Sequence, residues 1–258
     1  MNPADLLTAA PPPFKDELVA MLATHSAAAP RSQQRALGPS EIGHPCDRKI
    51  TLALADAPRC NDHADDPLPS LVGSAAHKLM EDVLRGYNER HGRRFLIEQR
   101  VYPAPGFGGT MDAYDLDTGT VIDWKFPGTS TMTKVRRTDD PGPVYRTQAH
   151  LYGLGAANLG LDVQVVRLVF IPRAGFSTGA HVWEEPWDRG VAQAALTRMW
   201  DLIAMVADLD AAEHPERFAF LPISPLMCDY CPFFARHPST PVQCAGDPAR
   251  KPPKPPVT

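Results

Sequence analysis

The sequence predicts a mixed α/β fold, and three features predict it. Residues 109–128, "GTMDAYDLDTGTVIDWKFPG", read as two short strands around a turn. Residues 70–91 repeat apolar side chains at helical spacing. The segments run α-β-β-β-α-β and close with a further helix and a cysteine-bearing tail, an order that suits a mixed sheet flanked by helices.

The elements follow in chain order. Phe14–Thr24, after three prolines, predicts a short amphipathic helix. Ser40 offers a cap for a helix through Cys46 to Ala55, although Pro45 complicates its first turn. "DHADDPLP" predicts a loop, and Ser70–His91 a helix with a stripe of Val72, Ala76, Leu79, Met80, Val83 and Tyr87. Arg94–Tyr102 predicts a strand that leads into the hairpin. "TSTMTKVRRTDDPGP" predicts a long polar loop suited to touching substrate. Val144–Leu159 predicts a helix, Val163–Pro172 and Ala180–Trp187 strands, and Gly190–Ala212 an apolar-rich helix. The expected organisation is an N-terminal extension over 1–38, one domain over 39–246 and a disordered Pro/Lys-rich tail over 247–258.

Composition narrows the function class. The chain has 258 residues, 43% hydrophobic and 22% charged, enough to bury a full core. No apolar run is long enough for a bilayer span, and the first residues lack a basic-then-apolar leader, so the expected location is cytoplasmic. The net charge of −4 gives no global basic field, but a groove on an acidic protein can still be basic. Arg93, Arg94 and Arg100 precede the hairpin, and Lys134, Arg136 and Arg137 follow it; solubilising surface charge is the plainer reading of both clusters. Five cysteines, an odd number in a chain expected inside the cell, argue against a disulfide framework and for metal or cluster ligation.

The hairpin poses the chemical question. Val121, Asp123 and Lys125 share one strand face, and Ile122, Trp124 and Phe126 the other. A register pairing Leu116 with Val121 sets Met111 against Phe126 and Ala113 against Trp124, an unbroken apolar side. It also sets Asp112 against Lys125 and Tyr114 against Asp123, gathering two carboxylates and an amine. Hard oxygen donors on one face suit Mg²⁺ or Mn²⁺. A nearby Lys can orient water or offset charge developing on a phosphate. A cross-strand Asp–Lys ion pair on a solvated face is the structural alternative.

"GTMDAYDLDTGTVIDWK" resembles the core of the PD-(D/E)xK nucleases, with Asp112 ahead of the D-x-K formed by Asp123 and Lys125. "GSAAHKLMEDVL" is similar to the Gly-x3-His element of the RecB-like branch, with Gly73 and His77 in its two positions. In "QAHLY", Gln148 and Tyr152 lie four apart and resemble that branch's Q-x3-Y motif. Its iron–sulfur members use one Cys before the nuclease motifs and three after, and Cys46, Cys228, Cys231 and Cys244 match that plan. The tail departs from the usual C-x2-C-x5-C. His237 occupies the third cysteine's place, so either a longer loop brings in Cys244, the preferred reading, or His237 substitutes. Cys60 is expected to be a bystander.

The resemblance implies a restriction-endonuclease-like core and a cysteine-bearing clasp joining the two chain ends, Cys46 with 228–244. It implies a metal-dependent DNA exonuclease acting on single-stranded ends, 5′ to 3′, like the CRISPR-associated RecB-like exonucleases, their phage-encoded relatives and the nuclease end of AddB. His77, Asp112 and Asp123 would ligate Mg²⁺ or Mn²⁺, with the Trp124 carbonyl as an extra ligand, and Lys125 would orient water. Gln148 and Tyr152 would position the strand, with Arg93, Arg94, Lys134, Arg136 and Arg137 along the backbone and Tyr145 available for stacking. The four cysteines would hold a [4Fe-4S] cluster, with Zn²⁺ as the minority alternative. The competing functions are a DNA-end-binding or partner-binding module of a recombination or CRISPR-adaptation complex, and a purely structural zinc protein.

Overall fold

A computed structural model describes residues 13–28, 37–61, 66–211 and 213–250. The tail from 251 onward, residues 62–65 of the expected "DHADDPLP" loop and the expected helix end at Ala212 lie outside the described residues. The helices are α1 (Phe14–Ala28), α2 (Pro39–Ile42), α3 (Asp47–Leu54), α4 (Leu68–His91), α5 (Thr129–Thr138), α6 (Pro143–Asn158) and α7 (Arg189–Asp208). The strands are β1 (Phe95–Ala104), β2 (Phe107–Asp115), β3 (Thr120–Lys125), β4 (Val165–Phe170) and β5 (His181–Pro186). Among the described residues no helix is long and apolar enough to cross a membrane.

The strands form one mixed five-stranded sheet in the order β1-β2-β3-β4-β5. β3 and β4 pair in parallel and the other neighbours antiparallel. A parallel pair needs a long crossover, and α5 with α6 supplies it. One sheet face carries Met111, Tyr114, Val121, Val166, Leu168 and Phe170 against Ala149, Tyr152 and Ala156 of α6 and Met132 and Val135 of α5. The opposite face carries Ala113, Ile122 and Trp124 against Leu84 and Met80 of α4. The expected mixed sheet flanked by helices is therefore what the chain forms.

Several local expectations change. The polar segment after the hairpin is a helix, α5, because Met132 and Val135, one turn apart, are both buried against the sheet. The segment from Ser40 to Ala55 is broken in two, with Cys46 as the N-cap of α3. On α4 the expected stripe is displaced: Leu79 and Val83 are 61% and 50% exposed, and Leu84 is the buried position. The helix is rotated so that His77, Met80, Leu84 and Tyr87 face the sheet side, where Tyr87 meets the Phe95 ring and His77 the Phe126 ring.

The hairpin register is also corrected. Ala113 pairs with Ile122, Tyr114 with Val121 and Asp115 with Thr120, two residues away from the expected alignment. The turn is Leu116–Gly119, where Gly119 adopts φ +65° and a side chain would collide with the Asp162 carbonyl, 2.5 Å from the Cβ position. A slip of two leaves each side chain on its expected face. Met111 is the exception. It packs with Tyr114 and Val121, whereas Ala113 packs on the other side. The alternation breaks at Asp112, which lies between the pairs Ile97–Ala113 and Gln99–Met111 and therefore opposite Glu98. Glu98 has φ +51°, a left-handed conformation that is uncommon outside glycine.

Behind α6 and α7, the segment of α2 and α3 meets the residues that follow α7. Arg198 of α7 donates to the Ile42 carbonyl at 2.8 Å and the His44 carbonyl at 3.0 Å, and it pairs with Asp47. Arg48 donates to the Ala219 and Leu221 carbonyls at 2.6 and 3.0 Å. Leu52, Phe218, Leu221 and Phe233 bury a small apolar cluster between these segments. On the far sheet edge His150 of α6 is fully buried, with Nε2 2.5 Å from Glu185 of β5 and Nδ1 accepting from the Asp188 amide.

Candidate functional site

Five elements converge where β2 and β3 cease to pair. α4 brings His77, β1 Glu98, β2 Asp112, β3 Asp123 and Lys125, and α6 Gln148 and Tyr152. Asp112 is the junction. Its Oδ1 lies 3.1 Å from His77 Nδ1, and its Oδ2 accepts the Trp124 backbone N–H at 2.7 Å. The side chain thus takes a backbone donor that would otherwise face a strand partner, which helps separate the two strands at this point.

Asp123 and Lys125 form the second half. Lys125 Nζ lies 2.7 Å from Asp123 Oδ2 and donates to Gln148 Oε1 at 2.9 Å. Gln148 Nε2 donates to Asp123 Oδ1 and to the Tyr152 hydroxyl, both at 3.2 Å. The bare backbone of Gly109 makes room for that tyrosine: an added Cβ would sit 2.8 Å from its ring. Lys125 Nζ also lies 4.8 Å from the centre of the Tyr145 ring, so Tyr145 packs beneath the amine and against Phe170. His77 and Asp112 meet directly and Lys125, Gln148 and Tyr152 gather about Asp123, but Asp123 is not among the ligand atoms that close on His77 and Asp112; Glu98 takes that place.

The electrostatics follow from burial beside like charge. Burial raises the Asp123 carboxyl to about 6, with Asp112 repulsion adding to it and Lys125 opposing. For His77, burial alone would lower the value. The hydrogen bond with Asp112 and the charges of Asp112 and Asp123 outweigh it, and the imidazole is raised. The repulsion between the Asp112 and Asp123 carboxylates is the part of this that a bound cation would offset.

Glu98 was not singled out in the sequence. One ligand atom from each of His77, Glu98 and Asp112 lies within 4.8 Å of the others. One imidazole and two carboxylates are a donor set that fits Mg²⁺ or Mn²⁺. An acid in the middle of "FLIEQRVY" is the available signal, but strict alternation conceals it because the left-handed residue resets the strand's facing.

The basic residues divide. Arg94 is committed to Asp115 through two bonds, at 2.9 and 2.7 Å, and Arg136 donates to the Gly179 carbonyl. Arg93, Lys134 and Arg137 are exposed. Arg173 joins the site's rim instead, with Nε donating to the Phe126 carbonyl at 3.1 Å.

The second candidate centre lies where the α3 segment meets residues 223–247. Cys46, Cys228, Cys231 and Cys244 line one cavity together with His44, Arg48 and Lys49. His237 is exposed and is not among the lining residues. Cys244 Sγ accepts from the Gly246 amide at 3.3 Å and lies 3.7 Å from an Arg48 nitrogen; Cys228 Sγ accepts from the Asp247 amide at 3.4 Å. Burial raises the Cys228 thiol and pushes Cys231 up to about 11, so a metal would have to draw the protons off. Four thiols around one cavity, with amide donors aimed at two of them, fit a thiolate-bound metal centre. Cys60 is outside the cavity lining, but its amide donates to the Pro232 carbonyl at 2.8 Å. The adjacent Asn61 donates to the Asp229 and Cys231 carbonyls at 2.9 and 2.8 Å, so this segment braces the Cys228–Cys231 turn.

No family model matches the chain, and no curated protein matches it. Among solved structures, the crystal structure of an alkaline exonuclease, LHK-Exo, from Laribacter hongkongensis is similar with a TM-score of 0.49 and 16% identity, covering 74% of this chain and 96% of that chain. The structure of LHK-Exo in complex with dAMP is similar with a TM-score of 0.44 and 18% identity, covering 80% of this chain and 98% of that chain. Both scores fall below 0.5, so the fold stands on this chain's own sheet and helices.

Proposed function

We propose that the chain is a metal-dependent deoxyribonuclease that hydrolyses phosphodiester bonds at DNA ends. One observation supports this above the others: His77, Asp112, Asp123, Lys125 and Gln148 come from four elements and meet at the mouth between β2 and β3. A solvated cross-strand ion pair would not need Asp123 at 2% exposure, nor a buried glutamine holding both partners.

In this reading His77, Asp112 and Asp123 hold Mg²⁺ or Mn²⁺, and Glu98 joins them. The ion, when bound, polarises the phosphate and activates water near neutral pH. Gln148 fixes Lys125 and Asp123 relative to each other, so the ammonium meets the scissile phosphate already oriented. Tyr152 sets the glutamine through its hydroxyl. Preference for single-stranded ends and 5′ to 3′ polarity come from the family resemblance.

The four cysteines hold an iron–sulfur cluster, with Cys244 as the fourth ligand. The preference for a cluster over zinc follows the family resemblance, whose iron–sulfur members place one cysteine before the nuclease motifs and three after them. The test of the nuclease reading is Asp123→Ala assayed on end-labelled single- and double-stranded DNA with Mg²⁺ or Mn²⁺. Cleavage is expected to vanish while folding and DNA binding persist. Full retained activity refutes the site.

A further inference from the structure

The cysteine cavity has one polar wall that the thiols do not account for. His44 is 4% exposed and lines the cavity. Its Nδ1 accepts the Cys46 amide at 3.2 Å. A ring nitrogen that accepts carries no proton, so the imidazole proton is on Nε2. That Nε2 is buried and has no hydrogen-bond partner. An unmet buried donor costs about 1–3 kcal/mol, and native proteins hold few of them.

The ring is fixed rather than idle. The Cys46 amide holds one nitrogen, and Arg198 holds the His44 carbonyl at 3.0 Å. Lys49 and Arg198, the charged groups that act on the ring, are cations and cannot accept its proton. The Leu226 backbone carbonyl acts on the ring as a weak hydrogen-bond acceptor, too poorly placed to satisfy Nε2. The same cavity presents the four cysteine sulfurs, beside Ser224 and Asp247.

We propose that His44, through its Nε2–H, donates a hydrogen bond to a sulfur of the cluster held by Cys46, Cys228, Cys231 and Cys244, and so sets the cluster's reduction potential. The inference rests on the iron–sulfur reading above. Reduction adds negative charge to the sulfurs, so each donor favours the reduced state and raises the potential. The amides of Gly246 and Asp247 already act in this way on Cys244 and Cys228. His44 is a side-chain donor and can be removed without altering the backbone. It is a positioning and tuning residue, not a ligand.

The test uses the full chain purified anaerobically, as wild type, His44→Leu and His44→Gln. Iron and sulfide are measured per chain, and the midpoint potential is read by an EPR-monitored redox titration. The expected result is iron in all three, a more negative potential in His44→Leu, and a smaller shift in His44→Gln, which keeps an N–H. An iron-loaded His44→Leu protein with unchanged potential overturns the inference and leaves the cluster reading intact. Wild-type protein without iron overturns both. Should His44→Leu fail to hold iron, pulsed EPR of the reduced wild type with ¹⁵N-labelled histidine decides. A weak histidine-nitrogen coupling supports the donor, and its absence overturns it.

Discussion

Gln148 Oε1 accepts from Lys125 Nζ at 2.9 Å, while Nε2 of the same amide donates to Asp123 Oδ1 at 3.2 Å. One α6 side chain therefore holds both members of the β3 ion pair. Gln148→Ala leaves the amine and the acid present but unfixed. The expected outcome is a fall in cleavage of roughly 10–100-fold, the usual cost of losing an orienting partner. Single-turnover rates on end-labelled DNA measure it, with near-wild-type far-UV circular dichroism as the control. An unchanged rate would show that Lys125 needs no such support.

Glu98 contributes an oxygen within 4.8 Å of donors from His77 and Asp112. Glu98→Gln keeps its size and removes its charge. Mn²⁺ affinity, read by calorimetry on metal-stripped protein, is expected to weaken by roughly tenfold or more. Equal affinity in the variant would exclude Glu98 from the ion's shell.

Arg94 pairs bidentately with Asp115, which is fully buried. The bond to Arg94 is the main influence on that carboxyl and holds it below its ordinary range, against the opposing effect of burial. A depressed acid adds stability that is present above the unfolded value of about 4 and is lost as pH falls through the folded value. Arg94→Ala is expected to cost about 2 kcal/mol at pH 7, less than a fully buried pair because the guanidinium is partly exposed. That is a Tm fall of roughly 4–8 °C for a chain of this size. The gap should begin to narrow below about pH 4, where the unfolded-state carboxyl protonates, and close as pH falls through the lower value of the folded Asp115. A gap independent of pH would assign the loss to packing.

Cys46 lines the shared cavity and Cys60 does not. Cys46→Ser is expected to lose iron after anaerobic purification, whereas Cys60→Ser retains the wild-type iron content. Asn61→Ala should lower cluster retention on heating, because it frees the Asp229 and Cys231 carbonyls. Iron loss in Cys60→Ser would overturn this division.

Much of the site was legible because its chemistry is local. The alternation of β3 put Asp123 and Lys125 on one face whatever the register, and a four-residue spacing put Gln148 beside Tyr152. The hairpin alignment was less legible. Parity fixes the face but not the pairing, and a four-residue turn moved the pairs by two. α5 was hidden because two apolar residues in a polar run give a weak helical signal until a sheet covers them. The buried face of α4 is not legible locally, because its exposed Leu79 and Val83 resemble core residues in isolation.

The sequence by itself determined the element order, the chemical identity of the hairpin's charged face and the separation of its cysteines into one early and three late. These depend on period and composition, which are local properties of the chain. Only the tertiary structure decided that Glu98 joins His77 and Asp112, that Arg94 serves Asp115, and that Cys244 rather than His237 lines the cavity. Each of those depends on a left-handed residue, a sheet pairing or a chain crossing that brings distant segments together, and such encounters are set by packing the whole core at once.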